Sequence, residues 1–229
     1  MDYTYLDIAK MIDHSLLSPV LTDRDLEAGC LLARAYDVAS ACVKPYYTKK
    51  CAELLAGSQV ATSTVIGFPQ GGNRTAVKLA EAGQALHDGG AELDMVVNIG
   101  KVLSEDWAYV RQDIQAVVDL THQAGCMVKV IFENCYLQDS HKIRLCEICA
   151  ELGADFVKTS TGYGSGGATI EDLKLMRRHS PARVRIKAAG GVRTLDALLE
   201  VRSIGVARCG ATRTAKMLEE CKQRLSVAV

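Results

Sequence analysis

The chain has no surplus of charge of either sign: Lys plus Arg number 27 and Asp plus Glu 27 among 229 residues. Without a global basic field, neither nucleic acid nor an acidic membrane surface is expected as a partner, and any anion must be bound locally. No segment reaches the ~18 uninterrupted apolar residues of a membrane-spanning helix. The opening "MDYTYLDIAKMIDHS" holds no basic stretch followed by an apolar one, so export and membrane insertion are not expected and a cytoplasmic location is. A Pro/Ser-rich linker and a compositional break are both absent, which leaves one domain over residues 1–229 as the expectation. No G-x-G-x-x-G follows the first β-like run, which counts against a dinucleotide-binding doubly wound sheet. The nine cysteines are odd in number and scattered through apolar segments; they read as small buried hydrophobes in a reducing compartment. Cys146 and Cys149 form a C-x-x-C inside the helical pattern "HKIRLCEICAELG", without the second pair that a zinc site requires.

What is present is the balance of a globular protein, 48% hydrophobic and 24% charged. Short β-like runs recur at residues 11–15, 38–44, 61–68, 92–98, 127–133, 156–161, 184–189 and 207–210, each followed by a helical pattern. "DGGAELDM", "ELGADFVK" and "SIGVARCG" place glycine just after a helix and just before a β run. Eight βα units in one chain of this length predict an α/β fold, a closed (βα)₈ TIM barrel.

Alternation within the runs separates two faces. In the fourth, Leu93, Met95, Val97 and Ile99 oppose Glu92, Asp94, Val96 and Asn98; in the fifth, Val128, Val130 and Phe132 oppose Lys129, Ile131 and Glu133. In the seventh, Val184, Ile186 and Ala188 oppose Arg185, Lys187 and Ala189. The apolar face must pack on the helices, so the other face points to the barrel axis. It carries Asp94, Lys129, Glu133, Lys187 and, with a less clean alternation, Lys158. A barrel interior is ordinarily filled by branched aliphatic side chains, so this polar set is either a self-neutralising ion network or a site for chemistry. Its place on strands that run into glycine-rich loops favours chemistry.

A free lysine, with a pKa near 10.4, is only about 0.04% neutral amine at pH 7. Burial and a second cation lower that pKa and make the amine a nucleophile toward carbonyl carbon. Lys158 and Lys187, one strand apart, suit an imine-forming lysine beside one that stays charged, with Asp94 across the barrel to move protons. "KAAGGVRT" and "CGATRT" follow the seventh and eighth runs, where barrels frequently build a phosphate cradle from backbone N–H groups and a helix N-terminus. Together these features point to a phosphorylated aldehyde or ketone.

"MIDHSLL", "ACVKPYY", "STVIGFPQGG", "AELDMVVNIG", "VKVIFENCYL", "FVKTSTGYG", "IKAAGGVRT" and "RCGATRT", in this order over residues 11–214, resemble the successive signature segments of the deoxyribose-phosphate aldolases. The resemblance implies a class I aldolase, with neither cofactor nor metal, that splits 2-deoxy-D-ribose 5-phosphate into acetaldehyde and D-glyceraldehyde 3-phosphate. It implies that Lys158 forms the imine, Asp94 donates and accepts protons, and Lys187 perturbs Lys158. Lys129 would be a supporting charge and Thr161 a ligand for a substrate hydroxyl or relay water. Gly162, Gly190, Gly191, Thr212 and Arg213 would hold the phosphate. The implied partner is a small phosphosugar, with no nucleic acid and no membrane. A homo-oligomer, dimer or tetramer, is common among such barrels, although no residue marks the interface.

The chain departs from the family pattern in three places. Thr212 and Arg213 stand where many relatives carry two small hydroxyl residues, so Arg213 either assists the phosphate or turns to solvent. Tyr163 stands where some relatives place a phosphate-directed lysine. The tail "LSVAV" lacks the tyrosine with which some relatives end, and no role is assigned to it. His14 reads as a hydrogen-bonded strand-end residue, Cys42 as a packing residue lining the barrel, and Asp13 as a candidate contact for a substrate hydroxyl. Two other functions remain open: a Schiff-base aldolase for a different phosphosugar, and a non-catalytic phosphosugar-binding protein.

Overall fold

In the computed structural model, which describes residues 2–227, eight parallel strands close on themselves. They are β1 (Ile12–Leu16), β2 (Ser40–Val43), β3 (Ala61–Ile66), β4 (Glu92–Val96), β5 (Met127–Ile131), β6 (Phe156–Lys158), β7 (Arg185–Ala189) and β8 (Arg208–Ala211). Each pairs with its neighbour in sequence, and β8 returns to β1 through Ile12 opposite Cys209 and Asp13 opposite Gly210. Around them run α1 (Tyr5–Ala9), α2 (Asp23–Ala35), α3 (Thr48–Leu55), α4 (Thr75–His87), α5 (Ile99–Leu103), α6 (Trp107–Gln123), α7 (Asp139–Leu152), α8 (Ile170–His179), α9 (Leu195–Ser203) and α10 (Thr214–Val227). This is the closed (βα)₈ barrel that the repeat predicted. No described helix is long and apolar enough to cross a membrane.

Local chemistry sets the element ends. Thr22 caps α2 and exchanges hydrogen bonds with Asp25, which satisfies donors that the first helical turn leaves free. Asp106 and Thr169 accept from backbone N–H groups at the starts of α6 and α8. Gly153 ends α7 in the left-handed region at φ +75°. Leu93, Met95, Val128, Val130 and Ile186 bury their side chains fully between sheet and helices, each contributing about 1.5–3 kcal/mol.

All eight strands occupy the expected places, but β3 to β6 stop two or three residues earlier than the alternation suggested. Val97, Phe132 and Thr159 still donate to Ile131, Lys158 and Lys187 of the next strand, so pairing fades into the loops instead of breaking. Ile99 is not a strand residue: it opens α5 behind Asn98, whose side chain accepts from Lys101 N–H. Glu133 adopts a left-handed backbone conformation (φ +59°), which ends the run at β5. Cys146 and Cys149 are buried in α7, and burial pushes the Cys146 thiol up to about 11. Of the tail, Ala228 and Val229 lie outside the described residues.

A second buried charge pair lies outside the barrel. The Lys78 ammonium on α4 donates to the Val96 carbonyl (2.8 Å) and pairs with Asp113 of α6 (2.5 Å), which also accepts from Thr75 (2.7 Å). Because removing one partner leaves a charge stranded, Asp113→Ala is expected to cost about 3–5 kcal/mol, whereas Lys78→Met with Asp113→Leu recovers most of that loss. Urea unfolding followed by circular dichroism measures both.

Candidate active site

Register places the polar side chains on adjacent strands at neighbouring levels. Asp94 lies opposite Lys129, and Lys158 opposite Lys187. Side chains of paired residues in a parallel sheet point the same way, so both pairs face the axis. At the N-terminal end of the barrel Phe156 seals the interior, with the Arg185 guanidinium 4.0 Å and that of Arg208 5.8 Å from its ring centre.

Above this floor, three lysines converge on one carboxylate. Lys158 and Lys187 each place Nζ 2.7 Å from Oδ2 of Asp94, and Lys129 places its own 2.7 Å from Oδ1. Lys129 also reaches Glu92 at 2.6 Å, Lys187 pairs with Asp13 at 2.5 Å, and Arg208 bridges Asp13 (2.5 Å) and Glu92 (3.1 Å). The network thus holds four basic groups, Lys129, Lys158, Lys187 and Arg208, and three carboxylates, Asp13, Glu92 and Asp94. One base is in excess, and an uncompensated buried charge is the costliest arrangement available.

The surroundings push the pKa values of the three lysines in different directions. Burial lowers the pKa of Lys158; Asp94 opposes this, and the Lys187 charge adds to the lowering. Burial also disfavours charge on Lys187, but Asp13 and Asp94 outweigh it and raise that pKa. Lys129 is raised against burial by Asp94 and Glu92. Burial alone would raise the Asp94 carboxyl, yet Lys129, Lys158 and Lys187 hold it well below the carboxylate range. A neutral Lys158 leaves three cations facing three anions.

Lys158 and Lys187 form the base of a cavity of about 400 Å³, while Asp94 and Lys129 lie beneath it with no exposure. Gly162, Gly190, Gly191 and Thr212 line its mouth, as does Arg193. Arg213 is exposed and does not line it, so of the two arginines near the last loops the pocket takes the one in "GGVRT". Gly190 and Gly167 meet backbone to backbone: a Cβ on Gly167 would lie 2.5 Å from the Gly190 carbonyl oxygen, and one on Gly190 2.9 Å from Gly167 Cα. That contact, with Ala168 N–H donating to Ala189 and Gly190, fixes the loop after β6 against the loop after β7. The N–H groups of Gly191, Val192 and Thr212 make no hydrogen bond among the described residues.

Other expectations meet committed partners. Thr161 donates its hydroxyl proton to Glu133 and accepts from Tyr163 N–H at 3.0 Å, so one lone pair remains for a ligand. Glu133 holds this loop through Thr161 and forms no ion pair among the described residues. Asp13 lines the cavity, but its oxygens face Lys187 and Arg208. His14 shares a 2.8 Å hydrogen bond with Thr214 at the start of α10, and burial pushes its pKa down to about 4. Cys42 packs with Leu17 and Val65 on the cavity wall, and burial raises its thiol. Asp13 and Arg208 as members of the ion network were not deduced from the pattern, because each is fixed only by side chains from distant strands.

A model of the DeoC/LacD family aldolases matches residues 8–212. A deoxyribose-phosphate aldolase of Rhodopirellula baltica is 63% identical over 226 residues, which cover 99% of this chain and 94% of that protein. One from Thermococcus gammatolerans is 46% identical over 93% of this chain and 96% of its own. Among solved structures, the deoxyribose phosphate aldolase from Aeropyrum pernix, described as having a unique tetrameric structure, matches with a TM-score of 0.89 and 32% identity over 96% of this chain and 93% of that one. The chain belongs to the DeoC/LacD aldolase family.

The electrostatic arrangement makes two opposite demands on substitution. Lys187→Leu removes a like charge and lets the Lys158 pKa rise, yet burial persists and keeps it below that of a free lysine; Asp94→Asn removes the opposing carboxylate and lets it fall further. Reductive trapping of acetaldehyde on Lys158 against pH should therefore move to higher pH in the first variant and to lower pH in the second, with circular dichroism confirming the fold. Shifts of the same sign in both would contradict the assignment of charges.

Proposed function

We propose that the chain is a class I aldolase that reversibly cleaves 2-deoxy-D-ribose 5-phosphate to acetaldehyde and D-glyceraldehyde 3-phosphate through a Schiff base on Lys158. The observation that carries this reading is the single excess base in the ion network, which we assign to the lysine that opens into the glycine-lined cavity. The names of the Rhodopirellula baltica and Thermococcus gammatolerans relatives support the substrate. A binding protein would have no use for an ionic cluster that apolar residues could replace at a gain in stability.

In this reaction neutral Lys158 attacks the C1 aldehyde of the open-chain sugar, and the carbinolamine loses water to give an iminium ion. A relay water held by Thr161 takes the proton of the C3 hydroxyl and passes it toward Asp94; the C2–C3 bond breaks with its electrons drawn to the iminium nitrogen, releasing glyceraldehyde 3-phosphate and leaving an enamine. Protonation at C2 restores the iminium, and water returns acetaldehyde and the free amine. Asp94 Oδ2 touches both Lys158 and Lys187, so a proton can pass between the two nitrogens over one oxygen. Lys187 is the proton reservoir, Lys129 keeps Asp94 anionic, and the free lone pair of Thr161 accepts from a substrate hydroxyl or the relay water.

The phosphate is held by the unpaired N–H groups of Gly191, Val192 and Thr212, by the turns at Gly162 and Gly190, and by the charge of Arg193. Arg213, exposed outside the pocket, has no part in this account. Assembly into a homo-oligomer, dimer or tetramer, belongs to the same proposal and is supported by the tetramer described for the Aeropyrum pernix enzyme. A reducing cytoplasm suits the nine cysteines, all free and seven of them buried.

Borohydride reduction with acetaldehyde should add one two-carbon unit, recovered by peptide mapping on Lys158; recovery only on Lys187 or Lys129 would overturn the assignment. Arg193→Ala should raise KM for deoxyribose 5-phosphate about ten- to a hundredfold, the range of a lost hydrogen bond to a charged group. Turnover of unphosphorylated deoxyribose should change far less, and Arg213→Ala should leave both substrates nearly unaffected. Gly191→Asp, which aims a carboxylate at the cradle, should act as Arg193→Ala does and more strongly.

A further inference from the structure

Tyr163 is the residue whose geometry the reaction does not yet use. It sits in the loop after β6, and its hydroxyl donates to the Leu17 carbonyl in the loop after β1, 2.7 Å away. Its ring also meets Phe68, in the loop after β3, edge to face with centres 5.4 Å apart and planes at 87°. Around the closed barrel β6 is three strands from β1 in one direction and three from β3 in the other. One side chain therefore crosses the mouth and touches two loops that neither adjoin its own nor each other.

Both ends of this crossing are anchored. At its root Tyr163 N–H donates to Thr161, which is itself held by Glu133. At its tip the phenol has one proton, and Leu17 takes it; burial raises the phenol pKa and keeps that proton in place. The same proton cannot also be given to a phosphate, so this tyrosine does not stand in for a phosphate-directed lysine. Phe68 rests on the apolar group Leu17, Cys42 and Val65, of which Leu17 and Cys42 line the cavity.

The cavity over Lys158 shows the consequence. Its lining comes from β1, β2, β6, β7, β8 and the loops after β1, β6, β7 and β8, and no lining residue comes from the loops after β3, β4 or β5. Tyr163 stands on the boundary between the two halves of the mouth. We propose that Tyr163 is a partition that confines the imine to the phosphate-side half of the mouth and thereby restricts the carbonyl compounds accepted by Lys158 to those with a small, unbranched α-carbon. The substituent on the imine carbon must lie within the walled cavity, and the wall is an aromatic ring fixed at both ends instead of a mobile loop.

The inference rests on Lys158 being the imine-forming amine, and the test reads that amine directly. Wild type, Tyr163→Phe and Tyr163→Ala are reduced with borohydride in acetaldehyde, propanal or isobutyraldehyde, and the adduct on Lys158 is quantified by peptide mapping. Opening the wall should raise the isobutyraldehyde-to-acetaldehyde ratio about tenfold or more in Tyr163→Ala, the scale on which a pocket distinguishes one carbon. Tyr163→Phe, which keeps the ring on Phe68 but loses the bond to Leu17, should raise it about threefold, with propanal between the extremes. A general loosening of the fold would speed all three aldehydes and leave the ratio unmoved. Ratios within about twofold of wild type in both variants overturn the partition alone; absence of any acetaldehyde adduct on Lys158 in the wild type overturns the imine assignment and the partition together. If Tyr163→Ala does not fold, the Tyr163→Phe ratio decides.

Discussion

The contact of Asp94 with three lysines is the interaction on which the rest of the interior depends. One carboxylate at the axis of a parallel barrel draws cationic side chains from β5, β6 and β7 to a single point. Once they are there, burial and the charges around each one set their pKa values apart. Glu92 and Asp13 compensate Lys129, Arg208 and Lys187 from below and from the side, while Lys158 has Asp94 alone and shares it. Of the three ammonium groups on this carboxylate, the one with no second anion is the least favoured to keep its charge. The depressed pKa of Lys158 follows from burial first, against which Asp94 acts, and then from the like charge of Lys187, which has a further anion of its own in Asp13.

The barrel separates two tasks along its axis. The ionic floor needs side chains close together and no water, which register on adjacent strands supplies. The mouth needs backbone N–H groups turned toward a ligand, which strands cannot offer because the ladder uses them. Where β6 and β7 end, the chain passes through Gly162, Gly190 and Gly191, all with positive φ, and the close approach of Gly167 to Gly190 leaves no room for a side chain between the loops. The cradle is therefore backbone held by backbone, and its position relative to Lys158 is set by the strands from which both emerge.

Much of this was legible in the sequence because a period of two is a strong signal over five residues. The fourth, fifth and seventh strands each alternate cleanly, so their pattern alone places Asp94, Lys129 and Lys187 inside. The sixth strand, Phe156–Lys158, is only three residues long, too short to show a period, and Lys158 was found by the glycines after it and by family resemblance. Glu133 falls outside the inner ion network because its left-handed backbone turns the chain out of the alternation. Arg193 and Arg213 each follow a glycine-containing turn, and pattern alone does not say which faces inward. Lys78 and Asp113 escaped notice for a related reason: a charged residue on a helix reads as solvent-facing until the helix packed against it is known.

The two halves of the mouth give the remaining link between fold and selectivity. A closed barrel with eight loops at one end offers an opening wide enough for many ligands, yet the cavity over Lys158 uses only half of it. In the proposed reaction, phosphate recognition by the loops after β7 and β8 would fix one end of the sugar but would do nothing to limit the two-carbon fragment left on Lys158 after cleavage. That fragment carries no charge and no hydroxyl, so only shape can discriminate it. Leu17, Cys42 and the ring of Tyr163, with Phe68 packed against that ring, are the part of the wall that can do so. An apolar pocket gains little from each added carbon and excludes larger fragments by collision instead, so the wall must be stiff. Stiffness is what the double anchoring of Tyr163 provides, and under the proposed mechanism the amine below can then be chemically unselective without the enzyme being so.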